Sequence, residues 1–247
     1  MGLKFSIPYQ IPFYETDITH HVKLPHLLAF SLQVSGMQSE SLGNTDKDVF
    51  DNYGLVWIVT DYAIEIDRLP RYNEKVTITT EAISYNKIFC YRNFYITDEA
   101  GQQIMLFKTT FALMDYETRK VAEVPDEVVA PYGAEKTKKL LRGPRYKALE
   151  NPLETFYRVR YFDLDMNGHV NNSKYLEWML DVFDLDFLTK YTPTHLDLKY
   201  VKEIHHGSEI YSGYEFDQDN LSSHHQICVD GNVHAQAIIQ WKEIGDE

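Results

Sequence analysis

The sequence predicts an α+β protein made of two tandem copies of one unit, each an antiparallel sheet wrapped around a long helix. Three features predict it: a short polar motif that recurs 148 residues downstream, an apolar helix-compatible stretch after each copy, and a series of strand-like segments after each stretch. The motif runs from Tyr14 to Val22 and again from Phe162 to Val170. Asp17 matches Asp165, His21 matches His169, Val22 matches Val170, and further on Leu28 matches Leu176.

The first helix is expected over Leu24 to Met37, with Pro25 tolerable in its first turn, where an N–H has no partner in any case. The second is expected over Ser173 to Leu188, where Leu176, Leu180 and Phe183 recur at helical spacing behind the N-cap candidates Asn171, Asn172 and Ser173. Strands are expected at Leu55–Ile66, Lys75–Ser84, Ile88–Asp98 and Gln103–Asp115 in the first half. In the second half they are expected at His195–Lys202, Ser208–Asp217, Ser222–Asp230 and Val233–Glu243. Val76-Thr77-Ile78-Thr79-Thr80 alternates with period two, and Asp230-Gly231-Asn232 is a tight-hairpin signal. Between the halves, Pro125 to Pro152 holds four prolines and two glycines, a linker composition. The division expected is an N-terminal unit over 1–130, a linker over 131–152 and a C-terminal unit over 153–247.

Composition bounds the function. With 44% hydrophobic and 25% charged residues the chain is globular, and 14% aromatics favour strands. A net charge of −13 argues against nucleic acid, whose phosphates require clustered Lys and Arg. No run nears the roughly 18 apolar residues of a membrane span, and the N-terminus shows no signal or transit pattern, so no membrane insertion and a cytoplasmic location are expected. Cys90 and Cys228 lie in apolar strand-like segments and read as reduced core residues. The local exception in charge is Lys136, Lys138, Lys139, Arg142, Arg145 and Lys147, within twelve residues of the linker. It reads as a solvated segment or as a docking patch for an acidic carrier protein.

The second copy of the motif, Asp165-Met166-Asn167-Gly168-His169, places three polar side chains at alternate positions just before a helix. If the segment is extended, all three project from one face. The helix start beside them carries unpaired N–H groups and partial positive charge, which would stabilise the oxyanion of an acyl-transfer intermediate. The motif alone equally suits an ordinary turn and cap. The histidine pairs His205-His206 and His224-His225 do not suggest a metal, since neighbours on a strand face opposite ways.

Longer stretches carry more. Tyr53 to Tyr72, with Trp57 and Arg68-Leu69-Pro70, then Asp163 to Trp178, then Leu198-Lys-Tyr-Val-Lys-Glu203, resemble the acyl-acyl-carrier-protein thioesterases of plastids and bacteria. The resemblance runs from about residue 5 to 242. It implies two fused hotdog domains, hydrolysis of the acyl chain from acyl carrier protein, and no metal or organic cofactor. Residue by residue it implies Asp165, Asn167 and His169 as catalytic, with Glu203 as the downstream carboxylate. Leu69 stands where the first unit would need that carboxylate and Thr19 where it would need Asn167, so one active site per chain is expected. Some plant members carry a cysteine next to the glutamate; Ile204 stands there, which excludes a Cys/His mechanism. The first unit is expected to bind the acyl chain without catalysing, and the faces of Trp178, Met179 and Phe183 could serve as core, as tunnel wall, or as both. An acyl-CoA thioesterase and a non-catalytic acyl-binding module remain the alternatives. The fused units make a monomer feasible, and a homodimer stays open.

Overall fold

Alternating apolar and polar side chains build long strands, and the computed structural model, which describes residues 2–245, arranges them in one sheet. The chain runs β1 (Lys4–Gln10), α1 (Leu24–Ser41), α2 (Asp46–Tyr53), β2 (Leu55–Ile66), β3 (Lys75–Tyr85), β4 (Phe89–Asp98) and β5 (Gln103–Asp115). Then come β6 (Val121–Ala122), α3 (Asp126–Val129), β7 (Glu135–Lys136) and β8 (Leu153–Arg158). The last part is α4 (Asn172–Leu180), α5 (Leu185–Lys190), β9 (Tyr191–Tyr200), β10 (Glu209–Asp217), β11 (Ser222–Val229) and β12 (Asn232–Glu243).

The strand order is β1-β3-β4-β5-β2-β9-β12-β11-β10-β8. Read outward from the centre, the two halves have the same order, and they meet where β2 pairs with β9 antiparallel, from Asp61 opposite Lys199 to Glu65 opposite His195. Each half is the sheet-around-helix unit that the repeat predicts. The fold is the tandem hotdog.

The duplication extends to backbone hydrogen bonds. A 3-10 turn over Phe13–Glu15 is repeated at Tyr161–Asp163, and the bridge between Thr16 and Val22 is repeated between Leu164 and Val170. Val22 N–H donates to the Pro70 carbonyl at 2.8 Å, and Val170 N–H donates to the Ile204 carbonyl at 3.2 Å. These bonds make Leu69 the counterpart of Glu203. Leu28 and Leu176 occupy equivalent helix positions, both fully buried in a core shared by the halves.

Three expectations change. The second helix does not run to Leu188: α4 stops at Leu180, and Asp184 caps α5 by accepting the Phe187 N–H at 2.8 Å. Short acids compete for backbone donors, so Asp184, which accepts the Phe187 N–H, starts a new helix and breaks a pattern that is apolar on its periodic face. Strand β9 starts at Tyr191, ahead of Pro193, which sits where the register with β12 shifts between Gln240 and Trp241 and so removes no needed donor. The same strand ends at Tyr200, so Glu203 lies just beyond it; Val201 and Lys202 both donate to the His234 carbonyl, turning the chain out of the ladder. The linker is pinned rather than loose: Asn86 donates to the Lys139 carbonyl, Leu141 N–H to the Tyr91 hydroxyl, and Glu150 and Asn151 N–H to Glu215.

Candidate active site

Asp165 to His169 is a tight turn, not an extended segment. Asp165 N–H donates to the His169 carbonyl at 2.8 Å, and Gly168 N–H returns to the Asp165 carbonyl at 3.1 Å. Gly168 has φ +80°, a conformation that costs glycine little. The turn, rather than strand alternation, brings the three residues to one cavity, and their side chains do not project from a common face. The Asp165 carboxylate is turned inward, accepting the N–H groups of Asn167 at 2.9 Å and His169 at 3.2 Å. Asn167, by contrast, is exposed and has no hydrogen bond from its side chain among the described residues.

The four residues the sequence singled out border one cavity of about 840 Å³. The His169 Nε2 lies 3.6 Å from Glu203 Oε2, just beyond hydrogen-bond length, with the imidazole and carboxylate 30% and 36% exposed. Glu203 is fixed from two sides. His234, whose pKa is lowered mainly by burial, lies with Nδ1 3.1 Å from the Glu203 carbonyl. One terminal nitrogen of Arg119, Nη2, donates to both carboxylate oxygens of Glu203 in a charge-assisted ion pair.

Arg119 is the residue that sequence reasoning missed. It belongs to the hairpin between β5 and β6, where Asp115 ties the turn by accepting from Thr118 N–H and Oγ1, and Arg119 itself takes φ +56°. Nothing near Tyr116-Glu117-Thr118 marks it in the sequence, because its partner is 84 positions away in the other half.

Behind the pair, α4 begins. Asn171 caps it by accepting the Ser173 N–H at 3.0 Å, and Asn172, next to the cap, lines the cavity. As the first residue of the helix its N–H has no intrahelical acceptor, and none elsewhere among the described residues. Tyr200 donates to the Asn172 carbonyl at 2.8 Å, and Tyr175 accepts the Ile204 N–H at 3.1 Å. Burial raises the pKa of both phenols, so both stay neutral.

From this mouth the cavity extends under α1 into the first half, past Trp57 and Val59 on β2 and Phe111 and Met114 on β5. Trp178, Met179 and Phe183 do not line it; they are core. Cys90 does, but burial pushes its thiol up to about 12, so little thiolate exists at neutral pH. Ile204 is 1% exposed and packed in the core. Among the described residues no three His, Cys, Asp or Glu side chains converge in a metal-holding group.

In the first unit the turn is repeated almost bond for bond. Asp17 accepts the Thr19 N–H at 2.8 Å and the His21 N–H at 3.3 Å, but Leu69 stands where the second unit has Glu203.

Fold and site together define a tandem hotdog with a histidine–carboxylate pair at the mouth of a deep cavity. Residues 2–132 match the profile of the acyl-ACP thioesterase N-terminal domain, and residues 146–243 that of the C-terminal domain. The chain belongs to the acyl-ACP thioesterase family. A Lactobacillus plantarum crystal structure, provisionally called an oleoyl thioesterase, is 33% identical with TM-score 0.94 over 99% of this chain and 98% of that one. The 12:0-ACP thioesterase of Umbellularia californica shares the fold at TM-score 0.85 and 20% identity, covering 99% of each chain. A chloroplastic acyl-[acyl-carrier-protein] hydrolase of Cuphea viscosissima is 25% identical over 85% of this chain and 54% of its own length. The chain spans about half the length of the curated relatives it matches first.

Proposed function

We propose that the chain is a thioester hydrolase that releases free fatty acid from acyl carrier protein and so ends acyl-chain elongation. The observation that carries this reading is the His169–Glu203 pair, 3.6 Å apart, at the mouth of a largely apolar cavity deep enough for an acyl chain. Residues 1–130 form the acyl-binding unit, 131–152 the linker, and 153–247 the unit with the catalytic residues, so each chain has one active site.

In the reaction, water held between His169 and Glu203 loses a proton to the pair as its oxygen attacks the thioester carbonyl. The Asn172 N–H, at the positive end of α4, stabilises the resulting oxyanion. The carbon–sulfur bond then breaks, the thiolate takes the proton back, and the carboxylic acid leaves. Asn167 orients the water or the carbonyl, Asp165 holds the turn that aims His169, and Arg119 positions the Glu203 carboxylate. No metal or organic cofactor has a part in this scheme.

The carrier-protein substrate, as against acyl-CoA, is supported by family membership and by the exposed basic segment around Lys138, Lys139, Arg142 and Arg145, which suits an acidic partner. Two free thiols and the absence of a helix apolar enough to span a membrane among the described residues support the cytoplasm. The two units already joined through β2 and β9 support a monomer, with a homodimer the other possibility.

Thiol release from acyl-ACP and acyl-CoA, followed with a colorimetric reagent against a His169→Ala control, tests the reading. Glu203→Gln should lower turnover at least ~100-fold, the usual range for losing an acid–base group. Equal release by His169→Ala and the unaltered chain would leave an acyl-binding module. Mass spectrometry of free fatty acids in an expressing bacterium would then report chain length.

A further inference from the structure

The part of the cavity within the first half is not wholly apolar. Arg92, on β4, lines it and is buried, with 8% of its surface exposed. One terminal nitrogen of its guanidinium donates to Gln38 Oε1 at 2.6 Å and to Thr80 Oγ1 at 2.8 Å, and the Tyr132 ring lies 5.1 Å from its central carbon. All three partners are neutral. Gln38 is further engaged with the Leu3 carbonyl and Tyr132 with Ser39, so the cluster is fixed in place. Burial lowers the guanidinium to about 10, which still leaves it charged at neutral pH.

A guanidinium has five N–H donors. The bonds to Gln38 and Thr80 use one nitrogen, and the N–H groups on the other two bond nothing among the described residues. No carboxylate pairs with Arg92 among those residues either. A buried cation with free donors is costly unless something accepts from it. If the cavity only had to stop a hydrocarbon chain, a leucine or methionine would do so without that cost. Arg92 is three strands from β9 in the order β9-β2-β5-β4, about 14 Å at the usual strand spacing. It therefore faces a part of the acyl chain well away from the thioester, with Ala82, Ser84 and Tyr85 of β3 lining the cavity beyond it.

We propose that Arg92, with Gln38, Thr80 and Tyr132 holding it, forms a subsite for an oxygen acceptor, a hydroxyl or a carboxylate, carried at the distal end of the acyl chain. This rests on the hydrolase reading above, in which the acyl chain fills the cavity. The substrate class it implies is the thioester of an oxygenated fatty acid. The reaction that supplies it must oxidise or hydroxylate the chain end, or start the chain on an oxygenated primer.

The test compares kcat/KM for thioesters of matched length ending in methyl, hydroxyl or carboxylate, over a series that spans the cavity. At the length that reaches Arg92, an oxygenated chain should be preferred at least ~10-fold, as expected for a hydrogen bond to a charged group. Arg92→Met should invert the preference, and Arg92→Lys should keep part of it. Equal turnover of all three ends at every length, or a preference that survives Arg92→Met, overturns the proposal. Binding of the matching free acids, followed by Trp57 fluorescence in His169→Ala, gives a readout independent of hydrolysis and of whether Arg92→Met folds. Tighter binding of the oxygenated acid with no hydrolysis of any thioester would sink the hydrolase reading and keep the subsite. Hydrolysis of plain chains with no difference in acid binding would do the reverse.

Discussion

Asp165 and Asp17 each accept two backbone N–H groups within a turn of the same shape, and only the Asp165 turn faces Glu203, whose place in the first unit Leu69 takes. That makes them a matched pair for separating structure from chemistry. Replacing either by Ala should cost about 1 kcal/mol, the typical worth of such bonds, seen as a lower urea midpoint. Only Asp165→Ala should also lower turnover, because only that turn aims a histidine at Glu203. Equal loss of activity in both variants would mean that the first turn also takes part. Arg119 makes a different prediction. Its Nη2, donating to both oxygens, sets where the Glu203 carboxylate points, so Arg119→Ala should lower kcat by about 10- to 100-fold with a smaller effect on KM. Arg119→Lys should recover part of the loss, since a single nitrogen makes the contact and an ammonium can also donate to both oxygens. A variant that loses only KM would assign Arg119 to substrate binding instead.

Among the elements, α2 is the most self-sufficient. Thr45 and Asp48 form a reciprocal capping box, with Thr45 N–H donating to Asp48 at 2.8 Å and Asp48 N–H to Thr45 at 3.1 Å, and Gly54 closes the other end at φ +66°. These signals stand in the sequence, yet a helix of eight residues with one buried side chain, Val49, shows too little periodicity to stand out there. Thr45→Ala should cost about 1 kcal/mol. Helix α4 depends instead on burial. Leu176 is fully buried under the sheet, and Leu176→Ala should cost about 2–5 kcal/mol by leaving a cavity, measurable by denaturant unfolding. Leu28→Ala, the matching change in α1, should cost a similar amount. A loss well under 1 kcal/mol at either site would argue that the shared core can close around it.

Across the whole molecule, the two halves of the sheet join at β2 and β9, and the site inherits that joint. Glu203 comes from beyond β9 and Arg119 from the first half, so neither half alone holds the arrangement. Global stability should also respond to pH through His225 on β11. Burial, with a smaller contribution from His224, pushes its pKa down to about 3, and its Nδ1 is buried with no hydrogen-bond partner among the described residues. The unfolded chain takes up a proton near the ordinary histidine value of roughly 6.5, whereas the native chain does not. Stability is then full above about pH 6.5 and falls as pH drops toward 3, by at most ~1.4 kcal/mol per pH unit from this group. Urea unfolding at pH 7 and pH 5 should show the fall, and His225→Gln should flatten it. An unchanged slope in that variant would move the effect to other groups, such as His26 and His234, whose pKa values are also lowered by burial.

Much of this was legible in the chain itself. The recurrence of Asp, His, Val and Leu 148 residues apart fixed the duplication, and periodicity set the eight long strands to within a few residues. The motif and its downstream glutamate marked out Asp165, Asn167, His169 and Glu203 as a group. Local pattern can do this because side-chain period and turn chemistry act between near neighbours. What only the tertiary structure decided involves partners far apart in sequence: the β2–β9 joint, the Arg119–Glu203 ion pair, and the cavity that reaches Arg92. Those depend on which surfaces pack together, and packing is settled by shape and burial over the whole fold, which no single stretch of sequence encodes.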